Sequence, residues 1–265
     1  MTRIAIHGAA GRMGQRLVAL GSQAEDLQVV AALEYAQHPK LGTDAGIVAG
    51  VEEIGMPLTG SLDVDVDVEA MIDFSVPAGA EAATDLCASR GIPLVMATTG
   101  LTPEQENKIR AAAEKIPVVW APNMSTAVNL TMKLAAMAGD TLKGVGGGVD
   151  VEIIDRHHRY KEDSPSGTAL KFGQVIAESM GQTEHVHGRE GITGQRSQNE
   201  IGYHALRVGD NPGEHTIVFS MLGETVELIV RASNRDCYAQ GALTAAKFVA
   251  GKPAGLYSMF DVLNL

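Results

Sequence analysis

The chain has 265 residues, 45% of them hydrophobic, which supports a substantial core in one large domain or two modest ones. Its net charge of −11 argues against nucleic-acid binding, which needs a basic face, but leaves room for a small anion at a locally cationic site. Cys87 and Cys237 form no C-x-x-C pair, the N-terminus reaches a glycine turn too soon for a signal peptide, and no apolar run approaches a membrane span; a soluble cytoplasmic protein without disulfides is expected.

RIAIHG reads as a short strand ending in glycine. RMGQRLVALGSQ follows with Met13, Leu17 and Leu20 at helical spacing. LQVVAALE is the next strand and closes on an acid. The acidic alternation SLDVDVDVEAM reads as a solvated edge strand or loop. AMIDFS, PLVMATTG and PVVWAPN are further strands, separated by the helix-like AGAEAATDLCASRG and TPEQENKIRAAAEK. Thr102 is placed to cap the latter, with Pro103 in its first turn and Gln105 at its third position. Strands and helices in this rhythm predict βαβ units and a parallel sheet, an α/β domain.

After about residue 125 the pattern changes. NLTMKLAAMAGDTL reads as a helix, and VDVEIID, IGYHALRV, EHTIVFSM and TVELIVRAS read as strands. A helix over 166–180 falls between the first of these strands and the rest, and GDNPG and LGE link the later ones. This predicts an α+β domain with a mixed, mainly antiparallel sheet. AQGALTAAKFVAG is helical again, and the tail is expected to rejoin the first domain. The expected boundaries are 1–125 with 235–265, and 126–234.

Two places carry chemistry. The run G-A-A-G-R-M-G, residues 8–14, follows a strand and opens a helix, so its backbone can approach a pyrophosphate at the helix N-terminus. The spacing is G-x-x-G-x-x-G, because Ala9 stands where the stricter G-x-G-x-x-G has its first glycine. Glu34 closes the second strand, twenty residues beyond Gly14, where an acid can accept both hydroxyls of an adenosine ribose. That acid would repel a 2′-phosphate, with only Arg12 and Lys40 nearby to compensate, so NADH is the expected cofactor, NADPH the lesser one. ATTG (97–100) and APNMS (121–125) end two more strands, and their small residues let a nicotinamide lie close.

The other place is E-I-I-D-R-H-H-R-Y-K-E-D-S-P-S-G-T-A, residues 152–169: a strand, a loop beginning at the histidines, and a helix capped by Ser164 or Ser166. Gly167 and Thr168 lie in the helix's first turn, where backbone N–H groups hold a carboxylate. Lys161 and the histidines add charge-assisted donors, and a histidine can deliver a proton as hydride arrives. No metal is expected, since adjacent His157 and His158 point opposite ways on an extended chain and no thiolate set supports them. HVHG at 185–188 reads as loop surface. His204 and His215 fall on strands without an assigned job, and His7 reads as local packing.

The 152–169 run resembles the signature of the 4-hydroxy-tetrahydrodipicolinate reductase (dihydrodipicolinate reductase) family of diaminopimelate and lysine biosynthesis. G-A-A-G-R-M-G, A-T-T-G, A-P-N-M-S, R-V-G-D-N-P-G-E-H-T-I-V-F and S-M-F-D-V-L-N-L are similar to that family along the rest of the chain. The resemblance implies a Rossmann-like domain binding NAD(P)H and a second domain that binds a small dicarboxylate and builds a homotetramer. It implies His157 as general acid, Lys161 as its helper or a carboxylate holder, His158 as a substrate contact, and Gly167 and Thr168 as the carboxylate site. It implies cofactor contacts at Gly8, Ala9, Ala10, Gly11, Arg12, Met13, Glu34, Ala97, Thr98, Thr99, Ala121, Pro122, Asn123 and Met124. Tyr35 stands where many relatives carry a base, and Met124 where an aromatic is frequent. From the residues alone, another NAD-linked reductase of a small carboxylate and a non-catalytic nucleotide sensor stay open beside it.

Overall fold

Alternation along the first strand sets the architecture: Ile4 and Ile6 pack into one helical layer and Ala5 into the other, and none of the three is exposed. The computed structural model describes residues 1–265. In chain order the elements are β1 (Thr2–His7), α1 (Arg12–Gln23), β2 (Leu27–Leu33), α2 (Ala45–Ala49), β3 (Leu58–Thr59), β4 (Ala70–Asp73), α3 (Pro77–Arg90), β5 (Leu94–Met96), α4 (Pro103–Ala113) and β6 (Pro117–Trp120). They continue with α5 (Thr126–Leu142), β7 (Asp150–His157), α6 (Gly167–Met180), β8 (Glu184–His187), β9 (Glu200–Arg207), β10 (Glu214–Met221), β11 (Glu224–Arg231), α7 (Asp236–Val249), β12 (Gly255–Tyr257) and α8 (Met259–Leu263). The chain gathers into two units, Met1–Thr126 with Arg235–Leu265, and Ala127–Asn234.

The first unit is built on a seven-stranded sheet in the order β12-β6-β5-β4-β1-β2-β3, parallel throughout. Leu17 and Val18 of α1 and Leu243 and Ala246 of α7 pack on one face, and Cys87 of α3 and Ile109 of α4 on the other. Strand order reverses beside β1, and ligands of open parallel sheets bind at strand carboxyl ends near such a reversal. Thr102 caps α4 in a full capping box with Gln105. The acidic stretch before β4 is a loop, and Arg90 holds it through the carbonyls of Asp63, Val64 and Val66.

The second unit carries a five-stranded sheet, β11-β10-β7-β9-β8. It is mixed, but not mainly antiparallel as expected. β10 pairs β7 and β11 antiparallel, while β9 pairs β7 and β8 parallel. The balance shifts because HVHG is not loop surface: His185 and His187 lie on the edge strand β8, with their rings stacked on Tyr203. An edge strand can be polar along its length, so no apolar alternation announces it. β7 runs to His157, past the loop start expected at the histidines, because Arg156 and His157 continue the ladder against Leu206 and Arg207.

Candidate active site

The first unit brings its expected cofactor residues to one edge. Gly8 follows β1, Glu34 follows β2, Ala97 follows β5 and Ala121 follows β6, all at carboxyl ends of one parallel sheet. Gly8 has φ +78°, and a Cβ there would lie 2.8 Å from the Phe74 carbonyl oxygen, so it makes the tight turn that Ala9 cannot. A Cβ on Gly14 would lie 2.1 Å from the Gly8 oxygen; the helix is seated directly on the turn. Gly11 is the N-cap of α1 and offers no side-chain cap, leaving the first-turn N–H groups, those of Arg12 and Met13 among them, for another acceptor. Backbone cradled this closely and an uncapped helix start fit a dinucleotide pyrophosphate.

The Ala10 N–H donates to Glu34 Oε1 at 2.9 Å, which joins the end of β2 to the glycine turn. Tyr35, Arg12 and Lys40 are exposed around it. Met124 is buried in the core of the first unit, so its side chain is not open to a ligand. Thr98 is also buried; its hydroxyl donates to Asp73 Oδ2 at 2.6 Å, and Thr99 beside it is exposed. Pro122 is exposed and Asn123 partly so, with Asn123 Oδ1 accepting the Ser125 N–H at 2.9 Å. Asp73 and Ser75, which the sequence reading did not single out, join this edge.

In the second unit, burial alternates along β7 so that Val151, Ile153, Asp155 and His157 share one buried face. Asp155 was not anticipated, and it connects the site. Its Oδ1 lies 2.7 Å from His157 Nδ1 and 3.5 Å from His215 Nε2. Its Oδ2 accepts the Ser166 N–H at 2.7 Å and Arg207 Nη2 at 3.2 Å. Ser166, rather than Ser164, caps α6 by accepting the Ala169 N–H, and its hydroxyl is 3.1 Å from His215 Nε2. One carboxylate thus ties the candidate proton donor to the helix start that carries Gly167 and Thr168. The signal was present in the sequence: Asp155 falls in register with the apolar residues of its strand.

His158 leaves the strand, donating its N–H to the Asn211 carbonyl at 2.8 Å and tilting its ring toward Tyr160. Lys161 Nζ sits 2.7 and 2.8 Å from the oxygens of Asp163, an exposed acid. Such a pair is worth about 0–1 kcal/mol, so an incoming carboxylate can exchange for it. A Cβ on Gly167 would meet nothing within 4 Å, and packing does not require glycine there.

Ligand atoms of Asp155, His157 and His215 lie within 4.8 Å of one another. A cation is poorly served there, because Arg207 already neutralises the carboxylate and Ser166 occupies its second oxygen. Burial alone would raise the Asp155 carboxyl; the His157 contact, the Ser166 N–H and the charges around it outweigh burial and hold it well below the usual carboxylate range. Burial pushes His215 down to about 4, against the pull of Asp155 and with help from His157, Lys161 and Arg207.

His215 is therefore neutral when folded and protonates more readily when unfolded. Its contribution is fully present above pH 6.5 and is lost as pH falls from 6.5 toward 4. We expect a loss on the order of 3 kcal/mol across that window, with Asp155 adding to it below its ordinary range. Denaturant unfolding at stepped pH measures it. His215→Gln is expected to flatten the slope; an unchanged slope would place the proton uptake elsewhere.

Comparison with known proteins agrees across the whole chain. The family model "Dihydrodipicolinate reductase, N-terminus" matches residues 2–124, and "Dihydrodipicolinate reductase, C-terminus" matches residues 127–263. The chain is 56% identical to the 4-hydroxy-tetrahydrodipicolinate reductase of Rhodopirellula baltica, over 99% of this chain and 96% of that one. It is 44% identical to the enzyme of the same name from Alkalilimnicola ehrlichii, over 100% and 99%. Among solved structures, a dipicolinate-bound dihydrodipicolinate reductase from Paenisporosarcina sp. TG-14 superposes with a TM-score of 0.78 at 28% identity, over 98% of each chain. Signature run, two-unit fold and full-length relatives converge: this chain belongs to the dihydrodipicolinate reductase family.

Proposed function

We propose that the chain reduces (2S,4S)-4-hydroxy-2,3,4,5-tetrahydrodipicolinate to 2,3,4,5-tetrahydrodipicolinate, in the cytoplasmic route to diaminopimelate and lysine. The substrate loses its C4 hydroxyl as water and takes up one hydride and one proton. A reduced nicotinamide cofactor, when bound, supplies the hydride. The residues for it are Gly8 to Met13, Glu34, 97–99 and 121–124 of the first unit.

In the second unit the first turn of α6, with Gly167 and Thr168, receives one carboxylate, and Lys161 receives or shares the other by leaving Asp163. His157 gives the ring proton, with Nδ1 turned to Asp155 and Nε2 left for the substrate. His158 borders the bound anion. The observation that carries this reading is Asp155, whose two oxygens meet His157 and the N-cap of α6.

NADH oxidation, followed optically with freshly generated substrate, tests the activity, and absence of turnover would defeat it. Gly167→Ala separates binding from packing. With open space at that Cβ it is expected to leave stability unchanged or slightly raised. It is expected to raise the substrate KM about tenfold, the worth of one compromised charge-assisted hydrogen bond. An unchanged KM would remove the carboxylate from this helix start.

Glu34 further supports NADH over NADPH, since its carboxylate is held at the turn by Ala10 and the nearby cations are exposed. The kcat/KM ratio for the two cofactors measures this, and a large preference for NADPH would refute it. We also propose a homotetramer assembled through the second sheet, on which Leu206, Val226 and Ile229 are exposed in the single chain. Light scattering reads its mass.

A further inference from the structure

Asp73 is the only buried acid of the first unit, with no exposed surface. An unpaired carboxylate there would cost several kcal/mol, so its surroundings define its purpose. Three side chains meet it. His7 Nδ1 lies 2.6 Å from Oδ1, the Ser75 hydroxyl donates to Oδ1 at 2.7 Å, and the Thr98 hydroxyl donates to Oδ2 at 2.6 Å. Thr98 Oγ1 also accepts the Ser75 N–H at 3.0 Å. His7, Asp73 and Thr98 stand at the carboxyl ends of β1, β4 and β5, where the parallel ladder stops. Beyond these ends the Phe74 and Ala97 amides still reach the carbonyls of His7 and Asp73, and the Gly8 and Ala9 amides reach that of Leu33. The carboxylate takes over there as the cross-strand tie.

The hydroxyls of Thr98 and Ser75 both donate to Asp73, and that of Ser75 also lies 3.2 Å from the Val76 carbonyl oxygen. His7 is the residue before Gly8, and the Phe74 carbonyl abuts Gly8 closely enough to forbid a Cβ. Moving Asp73 therefore moves two of the segments expected to carry the cofactor. We infer that Asp73, through Thr98 and Ser75, is a positioning residue for the nicotinamide end of the dinucleotide. It sets the 97–99 backbone relative to the glycine turn without touching the ligand. This rests on the proposed nucleotide role of the first unit.

Trp120, the only tryptophan, ends β6 on the same sheet edge and offers a native reporter, since NADH bound there is expected to quench its emission by energy transfer. Thr98→Val keeps side-chain shape and removes the hydroxyl. It is expected to weaken NADH binding about tenfold, the worth of a hydrogen bond to a charged group. Affinity for ADP-ribose, which lacks nicotinamide, is expected to stay within about twofold. Thr98→Ser, which restores the hydroxyl, is expected to recover NADH affinity. Ser75→Ala, losing one partly exposed hydroxyl, is expected to shift NADH in the same direction by less, and it carries the test if Thr98→Val does not fold.

Folded variants that bind NADH like the parent would overturn the inference. So would equal losses for NADH and ADP-ribose, which would mark general loosening of the unit. A parent protein that binds neither ligand would instead sink the nucleotide reading itself.

Discussion

Replacing His157 by glutamine is expected to lower turnover by about two to four powers of ten, the usual worth of a positioned general acid. Glutamine fits the space and can still donate toward Asp155, but it has no proton to give near neutral pH. The proposed proton transfer belongs to the transition state, so the loss is expected on kcat, with a smaller change in substrate KM. NADH affinity is expected to be unaffected, because the proposed nucleotide residues lie in the first unit. Steady-state kinetics with both ligands varied measures this. His157 is buried, pressed on Asp155 and edge-on to His215 at 5.3 Å, so a folding defect must be separated from a chemical one. Unchanged unfolding with collapsed kcat is the expected pair of results. Near-normal turnover in the folded variant would take the proton role away from His157.

Gly14→Ala is the second large effect, and its sign is set by two opposed terms. Alanine in a helix gains up to about 1 kcal/mol over glycine. Here the new Cβ would lie 2.1 Å from the Gly8 oxygen and 2.6 Å from the Ala9 Cα. Both are backbone atoms of the turn, which cannot rotate aside as a side chain can, and forced overpacking costs about 1–3 kcal/mol. The clash wins, and α1 must lift from the turn. NADH binding is then expected to fall about tenfold to a hundredfold, as one or two amide contacts to phosphate are lost.

The matched control is Gly21→Ala in the same helix. Its nearest contacts would be side-chain methyls of Val29 and Ile4 at 3.3 and 3.4 Å, and it is expected to be close to neutral. Titration of NADH against Trp120 emission and thermal unfolding of both variants check the pair. Equal behaviour of the two would show that the glycine turn does not hold the nucleotide.

Much of the site was legible because it is local. The turn from β1 into α1, the capping box of Thr102 and the Ser166 cap of α6 each lie within a few consecutive residues, so their geometry is written in sequence order. The parallel sheet followed from strands and helices in alternation. Less legible was anything set by a distant partner. β8 is short, polar and at an edge, and without it the pairing balance of the second sheet was misjudged. Two acids at the heart of the two units were passed over, although each closes or continues an apolar strand, AMID for Asp73 and V-E-I-I-D for Asp155. An acid in register with buried residues is the sign to look for, because it must find a partner inside.

The residue pattern by itself determined the α/β character of the first domain, the helix starts that suit anions and the histidine-lysine run with its family. Those depend on hydrophobic period, capping chemistry and motif spacing, all of which act over short stretches of chain. Only the tertiary structure decided that Asp73 gathers His7, Ser75 and Thr98, and that Asp155 gathers His157, Ser166, Arg207 and His215. Partners 66 residues apart at Asp73 and 52 apart at Asp155 meet only after the sheets have formed. A buried charge is tolerated only where folding has delivered its donors, and no local pattern carries that information.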